Sequence, residues 1–315
     1  MKVLDVNMEL GELADQVRAL GDRVQLIEPE NDRQLDEALP QAEVVLGTLL
    51  PDQFARAARL RWMISAGAGI DRHLFPELVE SEVTFVSAKG HVGTHLAEHA
   101  LALLLAVTRG IGVAVRHRTW EKKWPIRDAS WELTGLTLGI VGFGGTGREL
   151  ARRAASFDMR ILAVDPVDVQ GVPEHVEACW KMDRFFELLA QSDVVAICAP
   201  LTPDTESMFN GEAFKQMPNH AILINVTRGK IVDEAALLEA LDKGHIGGAG
   251  LDVTPSEPLP DDHPLWNYDN VVLTPHTAGA SPLRMQRCVE LVCENLRRDL
   301  AGEPLVGVID KRLGY

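Results

Sequence analysis

Short runs of consecutive apolar residues alternate along this chain with longer stretches in which apolar residues recur every three or four positions. Val3–Val6, Val24–Ile27, Val44–Leu46 and Trp62–Ser65 are runs of the first kind and predict strands, with Val83–Val86 as a further one. Leu10–Leu20 and Asp36–Leu39 carry the helical spacing between them. A strand covered on both faces has no polar side to show, so unbroken apolar runs separated by amphipathic stretches point to parallel strands under helices. The rhythm resumes at Leu136–Val141 and continues through Arg160–Val164, Val194–Cys198, Ile222–Asn225, Gly248–Leu251 and Val271–Leu273. Helices are predicted between these strands at about 147–156, 183–190, 211–216 and 233–243. A longer helix is predicted from Gly93 to Thr108, where Ala97, Ala100, Leu101, Leu104 and Leu105 share one face, and another over Ser281–Leu300. Thr119–Gly135 mixes Trp120, Trp124 and Trp131 with charges and a proline, and reads as an irregular arm.

This alternation places the chain in the α/β class, as two doubly wound parallel-sheet domains with an inter-domain cleft. A length of 315 residues suits that count, at roughly 150 residues per domain. The last helix can return to the N-terminal half, so one domain is expected over 1–94 plus 286–315 and the other over 95–285. The formal charge of −15 repels phosphate backbones and argues against a nucleic-acid partner. Cys179, Cys198, Cys288 and Cys293 form no CxxC pair and read as thiols in a reducing compartment. Met1–Asp5 leads directly into a strand-like run without a signal-peptide core, and the longest apolar run, Ala100–Val107, is too short to span a bilayer. A cytoplasmic protein without a membrane partner is the expectation.

The strand at Leu136–Val141 runs into Gly142-Phe143-Gly144-Gly145-Thr146-Gly147 and then into a helix. This is G-x-G-x-x-G in the strand–turn–helix setting that gives the motif its meaning. Gly142 permits the tight turn, Gly144 lets backbone approach a pyrophosphate, and Gly147 lets helix and strand pack closely; the helix N-terminus offers N–H groups to the anion. Asp165 ends the next strand, where it can accept from a ribose diol and would repel a 2′-phosphate. No lysine or arginine lies between Asp165 and Glu177, so NAD is the expected cofactor rather than NADP.

Three further segments sit at predicted strand ends: Asn225-Val226-Thr227-Arg228-Gly229, Leu251-Asp252-Val253 with Glu257-Pro258 following, and Thr274-Pro275-His276-Thr277-Ala278-Gly279. Ligands of doubly wound sheets bind at the carboxyl ends of the strands, so these segments should converge. With GFGGTG, CAPLTPDT from Cys198, NVTRGKIVDEAAL from Asn225 and HPLW…NVVLTPHTAG, they resemble the NAD-dependent D-isomer-specific 2-hydroxyacid dehydrogenases over about residues 90–285. Over 1–89 the likeness rests on Ser65-Ala66-Gly67-Ala68-Gly69-Ile70-Asp71, similar to that family's glycine-rich substrate loop.

The resemblance implies a Rossmann-like cofactor domain over 95–285 and a flavodoxin-like substrate domain in the remainder. It implies that Arg228 pairs with the substrate carboxylate and polarises its carbonyl, for which a planar guanidinium fork is suited. It makes His276 the acid and base at the substrate oxygen and Glu257 its partner, whose charge favours the protonated ring. Gly142, Gly144, Gly145, Thr146, Gly147, Asp165, Ala199, Pro200, Thr205, Val226, Thr227, Arg228, Asp252, His276, Ala278 and Gly279 fall where the family meets the dinucleotide. Ala66, Gly67, Ala68 and Gly69, with Arg228, fall where it meets the substrate. The implied reaction moves a hydride between NAD(H) and a small D-2-hydroxy acid or 2-keto acid, as in glyoxylate/hydroxypyruvate reductases or phosphoglycerate dehydrogenases. An NAD-sensing binding protein on the same fold, akin to certain corepressors, and a formate or phosphite dehydrogenase are the alternatives; formate enzymes would call for glutamine where Glu257 stands. His91, His95 and His99 are spaced by four, but there is no HExxH and His91 precedes the helix start, so no metal is expected. The family pairs through the region 95–135, which predicts a homodimer.

Overall fold

Each apolar run of the N-terminal part forms a strand: β1 (Lys2–Asp5), β2 (Gln25–Ile27), β3 (Val44–Leu46), β4 (Trp62–Ser65) and β5 (Thr84–Ser87). In this computed structural model, which describes every residue except Ala68 and His91, the five make a wholly parallel sheet in the order β2-β1-β3-β4-β5. That is the flavodoxin-like order, reversing between β1 and β3. β3 and β4 are buried along their whole length, as their unbroken hydrophobicity requires.

The second sheet comprises β6 (Thr137–Val141), β7 (Arg160–Val164), β8 (Ala178–Trp180), β9 (Val194–Ile197), β10 (Ile222–Asn225), β11 (Gly248–Leu251) and β12 (Val271–Leu273). Their order, β12-β11-β10-β9-β6-β7-β8, is the Rossmann order with one strand added, and the direction of winding reverses between β6 and β9. One face is covered by Leu188, Phe209, Phe214 and Leu237, the other by Ala97, Leu101, Leu104 and Leu150. The long helix Gly93–Thr108 supplies much of the second cover. It lies close to β11 because that strand reads Gly-Ala-Gly: a Cβ on Gly250 would stand 2.8 Å from Leu103 Cβ.

The chain packs as two units, Met1–Val92 with Ser281–Tyr315, and Gly93–Ala280. In the first unit the final segment runs antiparallel to β5: Ser87 N donates to Gly307 O at 3.0 Å and Ile309 N to Phe85 O at 3.0 Å. Lys311 Nζ then donates to the carbonyls of Leu78, Ser81 and Val83 at 2.7–2.9 Å, and burial pulls its ammonium below the usual lysine range.

The arm expected to be irregular is largely helical. A 3₁₀ turn at Trp120–Lys122 leads into the helix Lys123–Ala129. Pro125 is compatible with it because it sits in the first turn, where no intrahelical amide bond is lost. Three other features escaped the sequence pattern: the edge strand β8, the helix Ile111–His117, and two single-turn helices, Pro51–Phe54 and Pro76–Glu80, each begun by a proline. The Leu10–Leu20 stretch is shorter than its pattern, a 3₁₀ turn at Gly11–Leu13 followed by the helix Ala14–Arg18. Among the described residues, no single helix is long and apolar enough to cross a membrane.

Candidate active site

Three glycines shape the loop after β6. Gly142 has φ +93°, and a Cβ there would lie 2.7 Å from Ala199 N, because the ends of β6 and β9 meet where the winding reverses. Gly147 is just as confined, its virtual Cβ 2.3 Å from Gly142 O, so the helix Gly145–Ala154 sits tightly on the strand. Gly144 differs: a Cβ would meet nothing within 4 Å. Its open side, at the N-cap of a helix, is the cradle that a pyrophosphate needs. Asp165 closes the loop from β7. Its Oδ2 accepts from Phe143 N at 2.7 Å and its Oδ1 from Val167 N at 3.1 Å. The aspartate therefore caps the loop, and a carboxylate with about four acceptor sites retains capacity for ribose hydroxyls. Beyond β9, Thr205 Oγ1 donates to Pro200 O at 2.8 Å and so shapes the turn that follows Ala199. These residues fit a dinucleotide.

β10, β11 and β12 are in parallel register, Asn225 beside Leu251 and Leu251 beside Leu273, so their C-terminal loops emerge side by side. After β10, Asn225 folds the chain back on itself: its Oδ1 accepts from Thr227 N at 3.1 Å and its Nδ2 donates to Arg228 O at 2.9 Å. Arg228 is half-buried, and its Nη1 donates to Thr227 O at 2.8 Å. Val226 is buried beneath this turn. Gly229 brings the turn against the loop after β11, where a Cβ would fall 2.0 Å from the Thr254 carbonyl carbon. A second tie runs from the loop after β11 to the start of the helix Glu234–Asp242, His263 Nε2 facing Glu234 Oε1 at 3.3 Å.

After β11 the carboxylate of Asp252 is wholly buried. It points inward and organises the loop after β12: Oδ1 accepts from Thr274 Oγ1 at 2.6 Å and Thr277 N at 2.8 Å, and Oδ2 from Ala278 N at 2.9 Å. Between these anchors His276 adopts φ +54°, a left-handed conformation uncommon outside glycine, although histidine, asparagine and aspartate enter it more often than other side chains. Its amide donates to Asp252 O at 2.8 Å. The ring Nδ1 lies 2.8 Å from Glu257 Oε2, while Glu257 Oε1 takes Thr254 N at 3.3 Å. The His276 side chain is 44% exposed and that of Glu257 28%, so the pair is open to a reactant. A carboxylate only accepts, so Nδ1 holds a proton and Nε2 is the nitrogen left for chemistry.

Of the residues singled out from the sequence, Glu257 and His276 are thus in direct contact, Asp252 supports His276 from beneath, and Arg228 stands on the adjoining strand end. In the first unit, Gly67 N donates to Ser65 Oγ at 3.2 Å, and Ala66 O accepts from Cys288 Sγ at 3.4 Å. Ala68, assigned to the same loop, and His91 lie outside the described residues. Sequence reasoning missed Arg284, whose Nη2 would stand 3.9 Å from a Cβ on Gly67; as one arginine in an amphipathic helix it carried no signal. It also missed the part played by Asn225, Thr274 and His99, whose Nε2 reaches Thr274 Oγ1 at 2.8 Å. Cys198 and Cys288 are not thiolates: burial pushes their thiols up to about 12 and about 11.

A glycine cradle at the sheet's reversal point and a histidine–carboxylate pair at the neighbouring strand ends define a dinucleotide-dependent oxidoreductase. Comparison with known proteins names the class. The family described as "D-isomer specific 2-hydroxyacid dehydrogenase, NAD binding domain" matches residues 101–278. A glyoxylate reductase from Thermofilum pendens is 38% identical over 261 residues, covering 82% of this chain and 77% of its own. A glycerate dehydrogenase from Methylorubrum extorquens is 35% identical over 283 residues, 85% of this chain and 86% of its own. Among solved structures, an NADPH-dependent glyoxylate/hydroxypyruvate reductase from Sinorhizobium meliloti superposes with a TM-score of 0.82 at 27% identity, covering 100% of this chain and 99% of its own. The chain belongs to the D-isomer-specific 2-hydroxyacid dehydrogenases. It is an NAD(H)-binding oxidoreductase that acts at the CH–OH group of a 2-hydroxy acid or, in reverse, at the keto group.

Proposed function

We propose that this enzyme works chiefly as a reductase of small 2-keto acids, with glyoxylate and hydroxypyruvate as the class to test first. The contact between His276 Nδ1 and Glu257 Oε2 at 2.8 Å carries the reading, and the names of the relatives support the substrate class. When bound, the nicotinamide supplies the hydride. Arg228 holds the substrate carboxylate in its guanidinium fork and draws charge from the carbonyl oxygen. His276 Nε2 delivers a proton to that oxygen, and Glu257 keeps the ring oriented while it is charged. Asp252, Val226 and Thr227 shape this floor, and Ala278 and Gly279 continue it. In the first unit, whose proposed role is substrate binding, the amides of Ala66 and Gly69 are assigned to the substrate's carboxylate end, with Gly67 shaping the turn between them through Ser65. The test is NADH oxidation over a panel of 2-keto acids, with formate and phosphite offered as hydride donors to NAD. Turnover of a small keto acid supports the reading. Turnover confined to formate or phosphite, or none with any compound, removes it.

The same reading assigns Gly142, Gly144, Gly145, Thr146, Gly147, Asp165, Ala199, Pro200 and Thr205 to the dinucleotide and favours NAD over NADP. Two cations reach the loop after Asp165, Lys181 paired with Asp168 at 2.8 Å and Arg148 bonded to the carbonyls of Gln170 and Gly171 at 2.7 and 2.9 Å, so the preference rests on the Asp165 carboxylate, which would repel a 2′-phosphate. Asp165→Ala is expected to raise the Michaelis constant for NADH at least tenfold, an order-of-magnitude figure for a lost charge-assisted hydrogen bond, and to narrow the gap to NADPH. An unchanged preference would discard this role.

A homodimer formed through 95–135 is part of the proposal. Trp120 and Trp124, 87% and 58% exposed, and the exposed Ile111 and Val115 support it, since apolar surface gathered on one segment marks an interaction face. Light scattering that returned the 34.6 kDa monomer mass would exclude it. A cytoplasmic setting, with neither nucleic acid nor membrane as partner, completes the reading; the acidic charge and four free thiols support it.

A further inference from the structure

The helix Gly93–Thr108 carries a side chain into the loop that bears His276. Close packing of this helix on Gly250, noted above, brings His99, one turn before Leu103, to the ends of β11 and β12. His99 Nε2 lies 2.8 Å from Thr274 Oγ1 and 3.3 Å from Asp252 Oδ1. The proton between His99 and Thr274 follows from what surrounds the Thr274 hydroxyl. The Asp252 carboxylate accepts from Thr277 N, Ala278 N and Thr274 Oγ1. Thr274 has one hydroxyl proton, and it is spent on Asp252. Its oxygen therefore accepts from His99, so Nε2 of His99 is the protonated nitrogen of that ring.

Asp252 in turn holds the backbone on both sides of His276. A non-glycine residue keeps φ +54° only where surrounding contacts over-determine it. We infer that His99 is a positioning residue for His276: its Nε2–H, acting through Thr274 and Asp252, stabilises the left-handed turn that keeps the catalytic ring on Glu257. The inference rests on His276 being the proton donor.

The test uses the full chain and two substitutions. His99→Leu removes the donor and keeps an apolar side chain of similar bulk; His99→Gln keeps an amide N–H near the place of Nε2. His99→Leu is expected to lower kcat about tenfold, as misplacement of a reacting group does, while the Kd for NADH read by fluorescence stays within about twofold. His99→Gln is expected to recover kcat to within about threefold of wild type, because a donor is restored. Should His99→Leu fail to fold, Thr274→Val cuts the same link from the other side and carries the same expectation. Wild-type kcat in His99→Leu or its substitute overturns the inference, as does a glutamine variant no faster than the leucine one. A loss of thermal stability in both variants with kcat untouched also overturns it. His276→Gln measured in parallel separates the two levels. If that variant turns over like wild type, the acid–base reading itself fails; if it is inactive while His99→Leu is fully active, only the role of His99 is lost.

Discussion

Replacing His276 by alanine is expected to lower turnover by about 10²–10⁴-fold, the range for loss of a positioned general acid, while NADH still binds. The expectation follows from the way the ring is held. Nδ1 is committed to Glu257 at 2.8 Å, which leaves Nε2 to serve the substrate oxygen. The residues of the glycine loop make none of these contacts, so cofactor affinity should survive. Because His276 sits at φ +54°, alanine brings backbone strain as well as chemical loss. His276→Asn separates the two, since asparagine tolerates that region but cannot act as acid near neutrality. Both variants should lose turnover alike. The measurements are kcat on a responsive keto acid and NADH titration by fluorescence. Wild-type turnover in either variant would remove His276 from the chemistry.

Gly229→Ala should be nearly as damaging, and for a reason of space alone. The added methyl would stand 2.0 Å from the Thr254 carbonyl carbon, 2.1 Å from its oxygen and 2.4 Å from Pro255 N. All three are backbone atoms, so no side chain can turn aside. The two loops must part, and one carries Arg228 while the other carries Glu257. A destabilisation of about 1–3 kcal/mol is expected for such overpacking, with turnover down at least a hundredfold, because about 1 Å of misplacement can have that effect. Thermal unfolding and kcat measured together check it. Gly144→Ala is the contrast: its Cβ has open space, so stability should hold. If Gly229→Ala matches wild type in both measurements, the close contact of the two loops is not what places these side chains.

Much of this was legible in the chain itself, for physical reasons that also mark where legibility stops. Ile222–Asn225 and Gly248–Leu251 were read to the residue, because a strand buried along its whole length is almost continuously apolar. β8 was not, because Ala178, Cys179 and Trp180 form a half-buried edge with no such requirement. The helix Lys123–Ala129 was hidden by tryptophans and a proline whose place in the first turn cannot be judged without the backbone. The glycine loop was readable because what glycine permits is a local matter. Asp165 was harder: its link to Phe143 N spans 22 residues, and only the fold brings the two together. The same holds for Asp252, read as a residue near the cofactor but found with its carboxylate turned inward. His99 was read only as one of three evenly spaced histidines, because nothing in the spacing reveals the threonine that it meets 175 residues away.

The unit that begins the chain is finished by residues 281–315, after the whole of the other unit has been made. On the ribosome, therefore, residues 1–92 emerge before the other unit yet wait, with the edge of β5 unpaired, for the strip around Gly307–Ile309, which is translated after it. The uninterrupted middle can collapse meanwhile, since domains fold as units during synthesis. The unit Gly93–Ala280 would thus mature before the unit that flanks it, and β1–β5 would be the most in need of chaperone shelter. Protease pulses on stalled nascent chains would check this order: resistance should come to the middle before the beginning.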